Sequence, residues 1–286
     1  MSKSISTKAV VITGASSGIG KACALHLDKL GFQVFAGIRT EIDASSLKQE
    51  SSDRLTPVYI DVTKSDSIIK ATNMLETKLK SVGLYGLVNN AGIVIAGPLE
   101  FIPIDALRSQ LEINVVGQVA VTQALLPLLR RSRGRIINMS SVSGRVATPF
   151  LGPYAASKFA IEALSDSMRL ELMPWGIHVS VIEPGPISTP IWNKSMEATK
   201  LMIDKLPPSA QALYGPSVKA AMRWEDDIKK SMSSPKVVVR AVEHALVASK
   251  PRTRYRIGMS GFVADMFARF ASDSLKDWVI KSQRKL

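Results

Sequence analysis

The sequence predicts an α/β fold, a doubly wound parallel sheet with helices on both faces. Three observations predict it. Short β-branched apolar runs recur along the chain, helical stretches of ten or more residues separate them, and the first run stops at a glycine cluster. Strands covered on both faces read as continuous apolar runs, and a parallel neighbour can be reached only through a crossover, normally a helix.

The elements follow in order. Residues 8–13 (KAVVIT) form the first strand. Residues 18–30 form a helix with Ile19, Ala22, Cys23, Leu27 and Leu30 on one stripe and Gly31 as its stop. Residues 33–38 and 56–60 are the second and third strands, 64–82 a helix and 84–89 the fourth strand. A long helix over 105–131 precedes the fifth strand at 134–139. Residues 154–173 are helical, closed by Pro174 and Gly176, and 177–182 form the sixth strand. No repeat or low-complexity linker interrupts the pattern, so one domain is expected over 1–286 with a variable segment after residue 185.

Composition narrows the class. With 46% hydrophobic and 21% charged residues among 286, the chain is neither a disordered tail nor a fibre. The one cysteine, Cys23, excludes an internal disulfide or a multi-cysteine metal site. His26, His178 and His244 are too dispersed for zinc-hydrolase spacing. No apolar run approaching the roughly 20 residues of a bilayer span is read, and the polar start lacks a signal core. A cytoplasmic protein is expected. The net charge of +13 favours anionic partners. Nine basic residues against three acids lie between Lys250 and Leu286, so the excess gathers in the tail and argues against a nucleic-acid groove across the fold.

The first turn, Thr13 to Gly20, reads TGASSGIG. Gly14 turns the chain off the strand, Gly18 lets backbone approach a ligand, and Gly20 lets the helix sit close to the sheet. The N–H groups around Ser16, Ser17, Gly18 and Ile19, at a helix N-terminus, favour a pyrophosphate. At the end of the second strand an acid would bind a ribose 2′-hydroxyl, whereas a 2′-phosphate wants a cation. Ile38 cannot repel a phosphate and Arg39 can grip it, so NADP(H) is favoured over NAD(H); the other reading leaves Arg39 to solvent, with Glu41 nearby. Asp61 closes the third strand and could accept from an adenine amino group. Asn90, Ala91 and Gly92 close the fourth, where Gly92 permits close approach.

Tyr154 and Lys158 stand four apart at a helix start, on one face and one turn from each other. A phenol near pKa 10 is a poor proton carrier at neutral pH. A neighbouring ammonium and a positive nicotinamide both favour phenolate, which makes the pair a tunable acid or base. Ser141 comes thirteen residues earlier at a strand end and can donate to a carbonyl oxygen, with Ser140 and Ser143 competing for that role. Asn114 is out of place in an apolar stripe; it bonds backbone or holds a water that links Lys158 to solvent.

In order and spacing, Thr13 to Gly20, Asn89 to Gly92, Asn114, Ser141, Tyr154, Lys158 and Pro184-Gly185 resemble the short-chain dehydrogenase/reductase family over roughly residues 5–190. The resemblance implies a Rossmann sheet ordered 3-2-1-4-5-6-7, with a seventh strand at 254–258. It implies that Tyr154 transfers the proton, Lys158 binds the nicotinamide ribose and lowers the tyrosine pKa, Ser141 polarises the substrate oxygen, and Asn114 supports a proton relay. Pro184, Gly185, Ile187 and Thr189 would contact the nicotinamide, with Thr189 as the partner of the nicotinamide carboxamide. It also implies pairing through the two long helices, hence a homo-oligomer. The stretches VFAGIRT and EPGPISTPIW resemble the branch of retinol and 17β-hydroxysteroid dehydrogenases, which act on apolar alcohols and carbonyls.

Two segments remain. Residues 187–235 carry Pro190, Pro207, Pro208 and Pro216 among Trp192, Met196, Met202, Met222 and Trp224. Such interrupted helices suit a lid over an apolar substrate, with Trp192 lining it, or a subdomain packed on itself. The tail over 260–286 spaces Phe262, Val263, Met266, Phe267, Phe270, Trp278 and Val279 as one amphipathic basic helix, flanked by Arg269, Lys276, Lys281, Arg284 and Lys285. It would lie on an anionic bilayer as a peripheral contact, or pack over the pocket or another subunit. A dinucleotide-binding regulator without catalysis is the alternative function, and the complete Ser-Tyr-Lys set disfavours it.

Overall fold

The computed structural model describes residues 8–80, 82–192, 197, 207–230 and 232–284, with side chains left out at 222, 224–230, 259–264 and 283–284. Met196, Met202 and Lys285 therefore lie outside the described residues, as do the side chains of Met222, Trp224, Phe262, Val263 and Arg284.

Seven parallel strands form one sheet in the order β3-β2-β1-β4-β5-β6-β7, the expected Rossmann order. They are β1 Ala9–Ile12, β2 Gln33–Ile38, β3 Leu55–Tyr59, β4 Gly86–Asn89, β5 Arg135–Met139, β6 His178–Pro184 and β7 Arg254–Ile257. Every residue of β1 and β4 is buried, as a strand covered on both faces requires. One face is covered by α1 Gly18–Lys29, α2 Glu41–Glu50 and α8 Lys236–Val247, with Leu27, Leu47, Val238 and Leu246 in its core. The other carries α3 Ser65–Leu79 and α5 Gly117–Ser132, where Leu75, Leu125, Leu128 and Leu129 pack on Val11 and Leu87. The order reverses between β1 and β4, and ligands bind outside the strand ends at such a point.

The structure revises four expectations. The helix read over 105–131 is α4 Ile104–Leu111, a π-turn Glu112–Val116 and then α5. Contrary to the reading of no spanning run, 104–132 is long and apolar enough to cross a bilayer by length and composition, because its charges sit near its ends. Pro216 does not interrupt the variable segment, since α7 Pro208–Lys230 is continuous around it. The tail is two helices, α9 Gly258–Phe270 and α10 Asp273–Arg284, because the backbone turns extended at Ala271.

The ends of the variable segment are tied together. Ser188 N–H donates to Ser233 (2.9 Å) and Ser233 N–H to Pro186 (3.0 Å). Tyr214 of α7 donates to Glu100 (2.7 Å) and meets Phe101 edge-on at 5.8 Å, so α7 reaches the loop after β4, while α10 packs on α7.

Candidate active site

The glycine turn is shaped by what surrounds it. Gly14 and Gly18 take φ of +63° and +57°, which suit glycine. A Cβ at Gly14 would lie 2.8 Å from the Ala91 Cα, and one at Gly20 would strike the Gly14 carbonyl oxygen. Ser17 is the N-cap of α1, yet its hydroxyl makes no capping bond, and no acid stands in the first turn. The leading N–H groups of α1 and its positive dipole end therefore suit an anion. Asn90 locks the turn, donating to the Thr13 and Gly14 carbonyls at 3.0 Å each. The Thr13 hydroxyl accepts from the N–H groups of Asn90 and Ala91 (3.0 Å each), a joint that sequence reading missed. Opposite lies the loop after β6. A Cβ at Gly18 would sit 3.3 Å from the Thr189 Cβ, which brings that loop to the mouth of the turn. Ile187 is buried, and Trp192 donates its indole N–H to the Ile187 carbonyl (2.9 Å).

At the end of β2, Ile38 is buried and Arg39 exposed. Glu41 is held by the Tyr59 hydroxyl. Asp61 accepts from the Thr63 hydroxyl (2.7 Å) and N–H (3.0 Å), which with Lys64 and Arg39 hold its carboxyl below the ordinary range.

Ser141, Tyr154 and Lys158 come together at the start of α6 Gly152–Glu171. Phe150, just upstream, holds a left-handed φ of +68°, and its carbonyl accepts from Gly97 N–H (2.7 Å). Tyr154 is half-buried, and its phenol faces Ser141. Lys158 is buried, its Nζ 5.6 Å from the Tyr154 ring centroid and donating to the Met139 carbonyl at 2.8 Å. Burial pulls the Lys158 ammonium down to about 8, against the opposing charge of Glu162. Tyr154 departs from expectation, because burial raises its phenol and only the neighbouring Ser141 lowers it. Desolvation outweighs the ammonium, which faces the Met139 carbonyl.

Asn114 sits in the π-turn and is fully buried. Its Oδ1 accepts from Ile93 N–H (2.9 Å), and its Nδ2 donates to the Ile93 carbonyl (3.0 Å) and the Ser157 hydroxyl (3.1 Å). Of the two readings left open, the backbone-bonding one is seen. A Cβ on Gly92 would come within 3.3 Å of Asn114 Oδ1.

The sequence matches the family described as short chain dehydrogenase over residues 8–200. The chain belongs to the short-chain dehydrogenase family. Among relatives, it is 42% identical to mouse retinol dehydrogenase 5 over 87% of this chain and 80% of that protein. It is 39% identical to bovine 17-beta-hydroxysteroid dehydrogenase type 6, over 96% and 87% respectively. A short-chain dehydrogenase from Streptomyces avermitilis shares the fold with a TM-score of 0.77 at 25% identity, covering 100% of this chain and 98% of that one.

Beneath the site, this oxidoreductase carries a buried polar ladder that sequence reading did not assign. Asn89 donates to Thr122 (2.8 Å) and Asn138 (2.9 Å), and Asn138 donates to Ser165 (2.8 Å). Gln110, also fully buried, accepts from Ile95 N–H (2.7 Å) and donates to the Ile93 carbonyl (2.8 Å). The signal available was the same as at Asn114, polar residues at apolar phases of their elements. A separate cleft of about 350 Å³ opens beside Phe159, Glu162, Arg145 and Arg254 rather than at Tyr154. Ser141, Tyr154, Lys158 and the glycine turn lie instead at the carboxyl ends of the strands.

Proposed function

We propose that this short-chain dehydrogenase is NADP(H)-dependent and interconverts an alcohol and a carbonyl on an apolar substrate, a retinoid, a steroid or a similar molecule. The observation that carries the reading is the Tyr154 phenol facing Ser141 with the Lys158 ammonium alongside. The glycine turn, uncapped α1 and exposed Arg39 fit a dinucleotide diphosphate and a 2′-phosphate, and Asp61, Asn90, Ala91, Gly92 and the Pro184–Thr189 loop frame the rest. When bound, the dinucleotide supplies or accepts the hydride.

The chain's own residues handle the proton. In reduction, Tyr154 donates its phenol proton to the carbonyl oxygen while Ser141 hydrogen-bonds that oxygen; in oxidation the phenolate takes the alcohol proton. Lys158 holds the ribose and steadies the phenolate. Asn114 fixes the Ile93 backbone beside it. Trp192 and α7 close an apolar pocket, a lid reading supported by the tied segment ends and the Tyr214–Glu100 bond. Mouse retinol dehydrogenase 5 and bovine 17-beta-hydroxysteroid dehydrogenase type 6 support the substrate class by similarity.

The single domain pairs with a second copy through α5 and α6, a reading supported by apolar exposure at Val116, Phe159 and Leu170. Exposed Phe270 and Trp278 support a peripheral membrane contact of a cytoplasmic protein, although Arg254, Arg256 and Arg269 turn their charge toward buried acids.

A screen of NADPH and NADH against retinoids, steroids and small aldehydes tests the reading. Tyr154→Phe is expected to lower kcat by about 10²–10⁴-fold with dinucleotide affinity nearly unchanged. Retained turnover refutes the assignment; tight dinucleotide binding with no turnover on any substrate favours the regulator.

A further inference from the structure

Four acids and five arginines meet behind the Tyr154–Lys158 face of α6, counting Arg169, which lies 3.4 Å from Asp166. Glu162 stands one turn beyond Lys158 and two beyond Tyr154, so the three share a stripe. Its side chain is only 7% exposed. Oε2 accepts from Arg254 Nε (3.0 Å) and lies 3.3 Å from Arg145 Nη2. Oε1 is buried without a hydrogen bond among the described residues, and Ser140, the neighbour of Ser141, lies beside the carboxyl. From β6, Glu183 takes Arg145 (2.8 Å) and Arg254 (3.3 Å). From α9, Asp265 takes Arg256 (2.9 Å) and Arg269 (3.0 Å), and Asp166 of α6 takes Arg254 (2.6 Å). The arginines outnumber the acids by one, and two of them sit on Glu162. Among the described residues Glu162 Oε1 and Asp265 Oδ1 are the cluster's buried oxygens without a hydrogen bond, and the first belongs to the residue a turn from a buried ammonium.

We propose that Glu162 is a positioning residue for the proton chemistry: its carboxylate, clamped by Arg145 and Arg254, holds Lys158 in the ammonium form. Glu162 is the acid whose charge acts on Lys158, and it opposes the burial that would neutralise the amine. Burial and Glu183 push the Glu162 carboxyl up, while Ser140, Arg145 and Arg254 oppose them. The clamp also carries β7 into the site, since Arg254 leads that strand. The catalytic consequence rests on the Tyr154–Lys158 reading above; the charge coupling belongs to the chain alone.

The test is a ¹³C NMR titration of the apo protein labelled at the lysine ε carbons, with the Lys158 signal assigned by its loss in Lys158→Arg. The wild type is expected to titrate at about 8. Glu162→Gln should lower that midpoint by about half a pH unit or more, and Glu162→Asp should restore most of it. The paired change Glu162→Gln with Arg254→Gln removes one acid and one base, leaves the net charge of the cluster unchanged where the single change fails to fold, and should lower the midpoint in the same direction. In turnover, the alkaline limb of the kcat profile should move to lower pH with it. An unmoved midpoint in either folded variant overturns the proposal. A moved midpoint with no turnover in the wild type upholds the coupling and removes the proton reading instead.

Discussion

Lys158→Met separates what the site needs from what the fold prefers. The ammonium is 5% exposed and is drawn from 10.5 to about 8, a fall of about 2.5 pH units. At about 1.4 kcal/mol per unit, folding disfavours the charged form by roughly 3 kcal/mol. The lost hydrogen bond to the Met139 carbonyl offsets about 1–2 kcal/mol of that. The apo variant should therefore be more stable than the wild type by about 1–2 kcal/mol at pH 7, and melt roughly 2–6 °C higher. The sign with pH is fixed by the depressed value. Between about 8 and 10.5 the unfolded chain binds more protons than the folded one, so wild-type stability rises with pH across that window. The advantage of the variant is full below pH 8 and fades toward 10.5. Thermal unfolding followed by circular dichroism at pH 7 and pH 10 reads both effects. A variant that melts below the wild type at pH 7, or a gap that ignores pH, would show that burial does not strain this ammonium. Turnover should fall with the charge.

Arg39→Ala should weaken NADPH about 10- to 100-fold while leaving NADH nearly unchanged, as expected when a charge-assisted bond to a 2′-phosphate is lost; equal losses for both, read by fluorescence titration, count against the phosphate role. Asn114→Ala strips Ile93 N–H of its acceptor and should cost about 1–3 kcal/mol in urea unfolding. An unchanged midpoint would mean that water replaces the amide.

Much of this architecture was legible. Continuous apolar strands separated by helices carried the parallel α/β class, the resemblance to the short-chain dehydrogenases carried the strand order, and the four-residue interval carried the Tyr154–Lys158 face. What was missed has physical reasons. The α2 helix buries only Ala44 and Leu47, too thin a stripe to register as amphipathic. The α8 helix opens on Val237, Val238 and Val239, a β-branched run whose strand preference is overridden by packing on α1. The ion cluster joins Arg145, Glu162, Glu183, Arg254 and Asp265 across three segments distant in sequence, and charged residues read singly are placed at the surface. Asn114 was visible as a misfit, but the π-turn that holds it was not, because an apolar run has no feature that distinguishes one helical winding from another.

That winding has a consequence for how the chain tolerates change. The π-turn takes in one residue more than an α-helix would, so residues of α4 and α5 that share a face are spaced one further apart than α-helical winding would put them. Wound as a plain α-helix at its present length, the run would turn everything on one side by about 100° relative to the other. Gln110 and Gln118 could then no longer both grip the strand-end backbone. A gene copy shortened by one codon there would instead encode an uninterrupted spiral whose two halves still face the pocket.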